Sequence, residues 1–266
     1  MVSQTTALSA GQSREALDLS QANLKQNDFS RVTLSCSDLT SAALAGSKFV
    51  ESAFEGVTLT QANLTQCLWD HARWLACVFN SATLIDIRVQ HATCETTNFE
   101  RAVASGWDAS SSSFVGCLFR MADLSMSRWS MLTMTGASFE RASLLSARFD
   151  HTTATDASFE FADLRNAVFV NCDFERASFV GASFAGAKAI DCNFKDADFY
   201  WAEMDGFEHH NCNFSGARFP EPVKIAYGPK GVEPPIVVPK PLYRIAMTEE
   251  ERTKAIEAAF ADLPRD

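Results

Sequence analysis

The chain has 266 residues, a formal net charge of -10 and 47% hydrophobic residues, enough for one large domain or two small ones. The acidic balance excludes nucleic acid as a direct ligand, because its phosphates would be repelled. No apolar stretch reaches the roughly 18 residues of a membrane span, and the first residues lack a secretory signal, so we expect a cytoplasmic protein without membrane contact.

Residues 1–14 are predicted to cap the N-terminal end of a long repeat that occupies residues 15–219. A five-residue frame runs from Leu19 to Phe219 without slippage, and its leading position is Phe, Leu, Trp or Met at 34 of 41 places. The exceptions are Val89, Cys94, Ala104, Ala109, Ala154, Ala189 and His209. A small residue, most often alanine, lies two residues before the leading position. Between residues 19 and 219 every glycine follows the large residue by two positions, and no proline occurs before Pro220.

A period of five excludes the usual regular elements, since a helix repeats every 3.6 residues and a strand every two. A five-residue unit instead needs a small inward residue, a large inward residue and a corner at which the chain bends. Glycine suits the corner because it tolerates unusual backbone conformations. The missing prolines indicate that backbone N–H groups of each coil bond to its neighbours.

The repeat resembles that of the pentapeptide-repeat family, whose unit is roughly A-(D/N)-L-x-x. Matching units are Ala22-Asn23-Leu24, Ala62-Asn63-Leu64, Ala122-Asp123-Leu124 and Ala162-Asp163-Leu164. The resemblance covers residues 15–219 and implies an all-β fold, a right-handed quadrilateral parallel β-helix with four units per coil. Such an array would make about ten coils in a rod roughly 50 Å long, given the usual strand spacing.

A coil of twenty residues sorts the large apolar positions into four inward columns. We name the four faces first to fourth, after the columns that begin at Leu19, Leu24, Phe29 and Leu34. The first column is Leu or Phe throughout, and this stacking of like residues favours the twenty-residue register. Acidic and basic residues are mixed on every face, which is typical of a solvated surface.

Two clusters of outward residues stand out in this frame. Phe161, Val180, Tyr200 and Trp201 lie together near the C-terminal end of the first face, and we predict that Phe161, Tyr200 and Trp201 bind a protein partner. The alternative is that the chain's own tail covers them. All five histidines fall on the third face, where chance placement is a better explanation than a pH-sensitive surface.

The sequence offers no set of residues typical of catalysis. Cys172, Cys192 and Cys212 share one small inward column, so a disulfide or a metal site with the nearby histidines is conceivable. Cysteine recurs at this repeat position in place of alanine, however, so we interpret these residues as buried thiols. A filled rod has no concave substrate site. We therefore expect no enzyme activity, no catalytic residue, no cofactor and no metal.

The composition changes abruptly after the repeat, since all eight prolines lie at or beyond residue 220. Residues 220–247 are predicted to be extended and stiff. Residues 248–266 begin with a sequence typical of a capping box and predict a short helix with Ile256 and Phe260 on its apolar face. This tail could cap the last coil, join two rods as a homodimer or hold a partner, so Ile256 and Phe260 are further candidate partner-binding residues.

The leading functional hypothesis is a non-catalytic protein–protein interaction scaffold or adaptor. The resemblance implies a bacterial context, because some family members accompany bacterial secretion systems. It also implies an alternative, because other members mimic B-form DNA, bind DNA gyrase or a related topoisomerase and protect it from quinolones or toxins. The acidic rod favours this alternative, whereas the mixed charges and the absence of a protruding loop in the repeat oppose it.

Overall fold

The structure, a computed structural model, describes residues 9–219 and Lys254. The predicted tail segments 220–247 and 248–266, apart from Lys254, lie outside the described residues. Residues 9–219 contain thirteen short strands. These are β1 (Ser13–Glu15), β2 (Thr33–Ser35), β3 (Ala53–Glu55), β4 (Arg73–Leu75), β5 (Arg88–Gln90), β6 (Thr93–Glu95), β7 (Asp108–Ser110), β8 (Ser113–Val115), β9 (Arg128–Ser130), β10 (Arg148–Asp150), β11 (Val168–Val170), β12 (Lys188–Ile190) and β13 (Glu208–His210).

Every strand pairs in parallel with the residues one coil away, as in Arg14 with Leu34 and Phe149 with Phe169. The fourth face carries a six-stranded sheet in the order β1-β2-β3-β4-β6-β8. The third face carries a seven-stranded sheet in the order β13-β12-β11-β10-β9-β7-β5. Single parallel bridges join the coils on the first and second faces. The predicted β-helix and its twenty-residue register are confirmed.

More corners adopt a left-handed backbone conformation than the glycine pattern predicts. The second residue after each large apolar position has a positive φ, and most of these residues are not glycine. In an L-residue this left-handed conformation costs roughly 1–2 kcal/mol. Hydrogen bonds between coils offset the cost: the N–H of Gln66, for example, donates to the carbonyl of Ile85 at 2.9 Å.

The structure also explains the Asp or Asn of the repeat unit. At turns outside the strands, its side-chain oxygen accepts a hydrogen bond from the N–H two residues later, as between Asn63 and Thr65 at 3.1 Å. The same bond forms at Asp18, Asp28, Asp38, Asn98, Asp123, Asp163, Asp173, Asn193, Asp198 and Asn213. Each of these side chains satisfies a backbone donor that would otherwise have no partner within the coil.

Stacked aromatic rings fill much of the core. On the first face the rings from Phe79 to Phe219 form one column, with neighbouring centroids 4.8–5.1 Å apart and planes within 15° of parallel. Rings of adjacent columns meet edge to face, as do Phe49 and Phe54 at 5.7 Å and 85°. Because each coil contacts only its neighbours, stability accumulates along a straight, solid rod.

The two ends of the described array differ. The first inward position of the fourth face is Arg14, which is exposed. In the last coil Met204, Phe207 and Phe214 occupy inward-facing places but are only partly buried. The array therefore leaves apolar core partly open at its C-terminal end.

His209 introduces a titrating group into this last coil. It occupies the inward column of the third face, and its ring centroid lies 5.2 Å from that of Phe214. Burial, reinforced by the charge of His210, lowers the pKa of His209 below its usual value of 6.5. The unfolded chain therefore binds the proton more readily than the folded one. The stability contributed at neutral pH is lost as the pH falls from about 6.5 through the folded pKa.

We expect the last coil to open more often at pH 5.5 than at pH 7.5, and His209→Phe to remove this difference. Hydrogen exchange of residues 205–215, corrected for intrinsic pH effects, measures the opening. His151→Phe is the control, because His151 is exposed and pairs with Asp150 at 2.8 Å. Equal pH dependence in wild-type protein and His209→Phe would refute this role.

Candidate functional site

Four outward residues form an exposed apolar cluster at the edge between the first and second faces. We call Phe161, Val180, Tyr200 and Trp201 the aromatic corner. Phe161 is 47% exposed and Trp201 is 65% exposed, whereas Val180 and Tyr200 are half-buried. The sequence places Phe161, Tyr200 and Trp201 on this edge, in agreement with the geometry, and their role in binding a partner stays a prediction.

The two exposed rings stand on residues with a strained backbone conformation. Phe161 has φ 57° and Trp201 has φ 61°, so each bulky side chain stands on a left-handed corner residue. A strained bulky residue normally persists because burial or packing offsets the strain. Here about half or more of each side chain remains in water, so folding gains little from the ring. Every corner of the rod shares this left-handed conformation, so what distinguishes Phe161 and Trp201 is a large aromatic ring left in contact with water.

The rings of the aromatic corner are held in place by their neighbours. Phe161 lies across Gly181, where a Cβ atom would come within 2.6 Å of the ring, so residue 181 has to be glycine for this arrangement. The guanidinium of Arg141 stands 5.7 Å from the Phe161 centroid. Tyr200 and Trp201 stack at 4.7 Å, and Arg218 lies 4.1 Å from the Tyr200 centroid.

A shallow groove of about 280 Å³ runs beside Phe161 onto the second face. Its lining consists of Phe161, Ala162, Asp163, Arg165, Gly181, Ser183 and Glu203. Most sites for small molecules or cofactors are larger, about 300–1,000 Å³, and more enclosed. The groove suits a side chain of a docked protein better than a free small molecule.

The charged side chains of the groove are held by hydrogen bonds. Arg165 donates two hydrogen bonds of 2.7 Å to Asp163 and lowers the pKa of that carboxyl group. Glu203 accepts a hydrogen bond of 2.7 Å from Ser183. The groove is thus acidic on balance, with one carboxylate held by a hydroxyl and one held by a guanidinium.

Ile256 and Phe260, the other two predicted partner-binding residues, lie outside the described residues.

The sequence analysis also missed an apolar feature. Met121, Met126 and Met131 occupy three successive corners of one coil and are 47–64% exposed. The five-residue frame contained the signal, since each methionine falls two positions after a large apolar residue.

The histidine and cysteine clusters form no metal site within residues 9–219. His71 and His91 stack one coil apart, with centroids at 4.9 Å. All eight cysteines are free thiols, seven of them buried, and burial raises the pKa of Cys67 to about 12. Cys94 and Cys117 have sulfur atoms 3.3 Å apart, a pair that the sequence analysis did not single out.

Nowhere in the described part of the chain is there a helix with the length and apolar character needed to cross a bilayer.

Comparison with known proteins agrees with this architecture. The family model described as pentapeptide repeats matches in eight copies, over residues 16–49, 37–67, 134–169, 157–196 and 167–206. HetL, a pentapeptide repeat protein involved in heterocyst differentiation regulation in the cyanobacterium Nostoc sp. strain PCC 7120, is similar in structure. It has 22% identity and a TM-score of 0.52, and the likeness covers 78% of this chain and 91% of HetL.

QnrB1, a plasmid-mediated fluoroquinolone resistance protein, is similar with 13% identity and a TM-score of 0.34, over 79% of this chain and 85% of its own. The likeness to HetL concerns the fold alone, and the likeness to QnrB1 is too weak to carry an argument. No curated protein matches in sequence. The chain belongs to the pentapeptide-repeat family, as its repeat frame, its twenty-residue coil and the match to the family model show.

Proposed function

We propose that the protein is a non-catalytic interaction scaffold whose aromatic corner binds a protein partner. The observation that carries this proposal is the pair of exposed rings, Phe161 and Trp201, on left-handed corner residues. Exposed aromatic residues dominate binding energy in many protein interfaces because they bury a large area at a small cost in side-chain entropy. A rod with a fixed, stacked core presents them in one geometry, which reduces the entropy lost on binding.

The arrangement of charge favours this function over DNA mimicry. Many carboxylates are paired with a base one coil away, which reduces the acidic potential along the rod. These pairs include Arg120–Glu140, Arg176–Asp156, Lys188–Glu208, Lys195–Glu175 and Arg218–Asp198, at 2.7–3.1 Å. A mimic of the DNA backbone would need rows of unpaired anionic groups. Binding to DNA gyrase or a related topoisomerase is therefore the second candidate function. An association with a bacterial secretion system would be one form of the proposed adaptor function.

Affinity capture from cells of the source organism tests the proposal. We expect Trp201→Ala to reduce recovery of the partner at least about tenfold, because loss of a central aromatic residue commonly costs 2 kcal/mol or more of binding energy. Met126→Ala is the matched control. Met126 is also an exposed apolar corner residue, with φ 57° and 64% exposure, but it lies at another edge of the rod.

Mass spectrometry of the captured proteins separates the two functions. A protein that is lost with Trp201→Ala and kept with Met126→Ala supports the scaffold. Capture of gyrase or topoisomerase subunits, unchanged by Trp201→Ala, would favour the DNA mimic and contradict the proposed site. Unaltered circular dichroism of each variant ensures that binding and not folding is compared.

A further inference from the structure

Three outward residues on the third face are buried, although they point away from the core. Val168, Val170 and Ile190 are 8%, 0% and 3% exposed. They form one patch, because Val170 pairs with Ile190 in the register of β11 and β12. All other outward positions between residues 16 and 200 remain partly or fully exposed, including Asp150 in the same column. Neighbouring coils alone therefore do not bury an outward side chain.

The coils of residues 9–219 do not account for this burial, so a segment of the chain beyond the array is the simplest cover. Residues 1–8 are too short to reach the patch. Eight coils separate residue 8 from Val168, or ~38 Å at the usual strand spacing, whereas eight residues extend at most ~29 Å. Residues after Phe219 begin one to three coils from the patch. The 28 residues of segment 220–247 span up to ~87 Å when extended, ample for a path to the third face.

We propose that the C-terminal segment 248–263 docks as a helix on this patch, with Ile256 and Phe260 against Val168, Val170 and Ile190. Lys254, the one described residue of this segment, is helical and exposed. At about 100° per residue, Ile256 and Phe260 lie roughly 200° and 240° around a helix from Lys254. A helix that exposes Lys254 thus turns its apolar face toward the rod. Residues four apart on a helix are ~6 Å apart, close to the size of the patch.

Charge complementarity supports the same placement. The outward column that contains Val168 carries Arg128 and Arg148 on one side and Lys188, which pairs with Glu208, on the other. The predicted helix begins with Glu249, Glu250 and Glu251. Docking on the patch would bring this acidic first turn close to Arg128 and Arg148.

This docking site lies on the third face, away from the aromatic corner at the edge of the first and second faces. A tail docked on the third face would leave Phe161 and Trp201 open. The inference is independent of the proposed function, because it concerns contacts within one chain and needs no partner.

Hydrogen exchange of the full-length protein tests the docking. We expect the amides of residues 250–262 to be protected and to exchange at least about tenfold faster in Val170→Asp, which places a charge in the covered patch. Val50→Asp is the matched control: Val50 stands in the same column of the same face but is not buried, and its replacement should leave exchange in 250–262 unchanged.

The result that overturns the proposal is an unprotected segment in the wild type, or equal exchange in Val170→Asp and Val50→Asp. Protection that rises with protein concentration together with dimer formation would assign the helix to a second copy and also overturn it. If Val170→Asp disturbs the rod itself, the double variant Ile256→Ser/Phe260→Ser decides. Hydroxyl-radical footprinting should then show several-fold more labelling of Val170 and Ile190, and no increase would refute the contact.

Discussion

Phe139→Ala should lower the free energy of unfolding by about 3–5 kcal/mol, the range for a large aromatic residue lost from a packed core. Phe139 is fully buried and lies between Phe119 at 4.9 Å and Phe159 at 4.8 Å in the first-face column. Its removal leaves a cavity that straight, stacked coils cannot close easily. Urea unfolding followed by circular dichroism measures the change, with the slope checked because a repeat array need not unfold in one step.

Phe161→Ala is the matched control for this experiment. It removes the same side chain from an outward corner, where about half of the ring contacts water. We expect a change within about 0.5 kcal/mol, as for most surface substitutions. A loss as large as that of Phe139→Ala would mean that Phe161 serves folding, and the argument for a partner site would then fail.

Gln66→Pro should be nearly as damaging, although Gln66 is an exposed residue. Its φ is 57°, which proline cannot adopt, and its N–H donates to the carbonyl of Ile85, a bond that proline lacks. By analogy with proline inside a helix, the loss should be about 3 kcal/mol or more. The expected result is a lower midpoint of urea unfolding, with exchange accelerated in the coils on both sides of residue 66.

Gln66→Gly separates the effect of backbone conformation from the loss of the side chain. Glycine adopts the left-handed conformation without strain, and its greater freedom in the unfolded chain opposes the gain, so the net change should be within about 1 kcal/mol. If proline and glycine at residue 66 gave equal stability, the left-handed corner would not hold in solution.

The array could be predicted closely from the sequence because one short period governs every coil. Inward columns, glycine corners and the register all follow from spacing alone. The left-handed corners at residues such as Gln66 could not be predicted, because a side chain with Cβ normally avoids that conformation and hydrogen bonds between coils enforce it.

The candidate site was predicted in part. The outward sorting of residues brought Phe161, Tyr200 and Trp201 together, since neighbours in a column are twenty residues apart. It could not reveal how Phe161 leans over Gly181, nor that Val170 is buried while Phe161 is open. Those facts depend on side-chain direction and on contacts that the five-residue spacing does not encode.

The most direct test of the account is photo-cross-linking in living cells with p-benzoylphenylalanine at position 201 and, for comparison, at position 126. Both positions are exposed corners of the same rod, so they differ in location rather than in chemistry. We expect a specific protein to be cross-linked through position 201 and not through position 126. The same products from both positions, or none from position 201, would contradict a partner site at the aromatic corner.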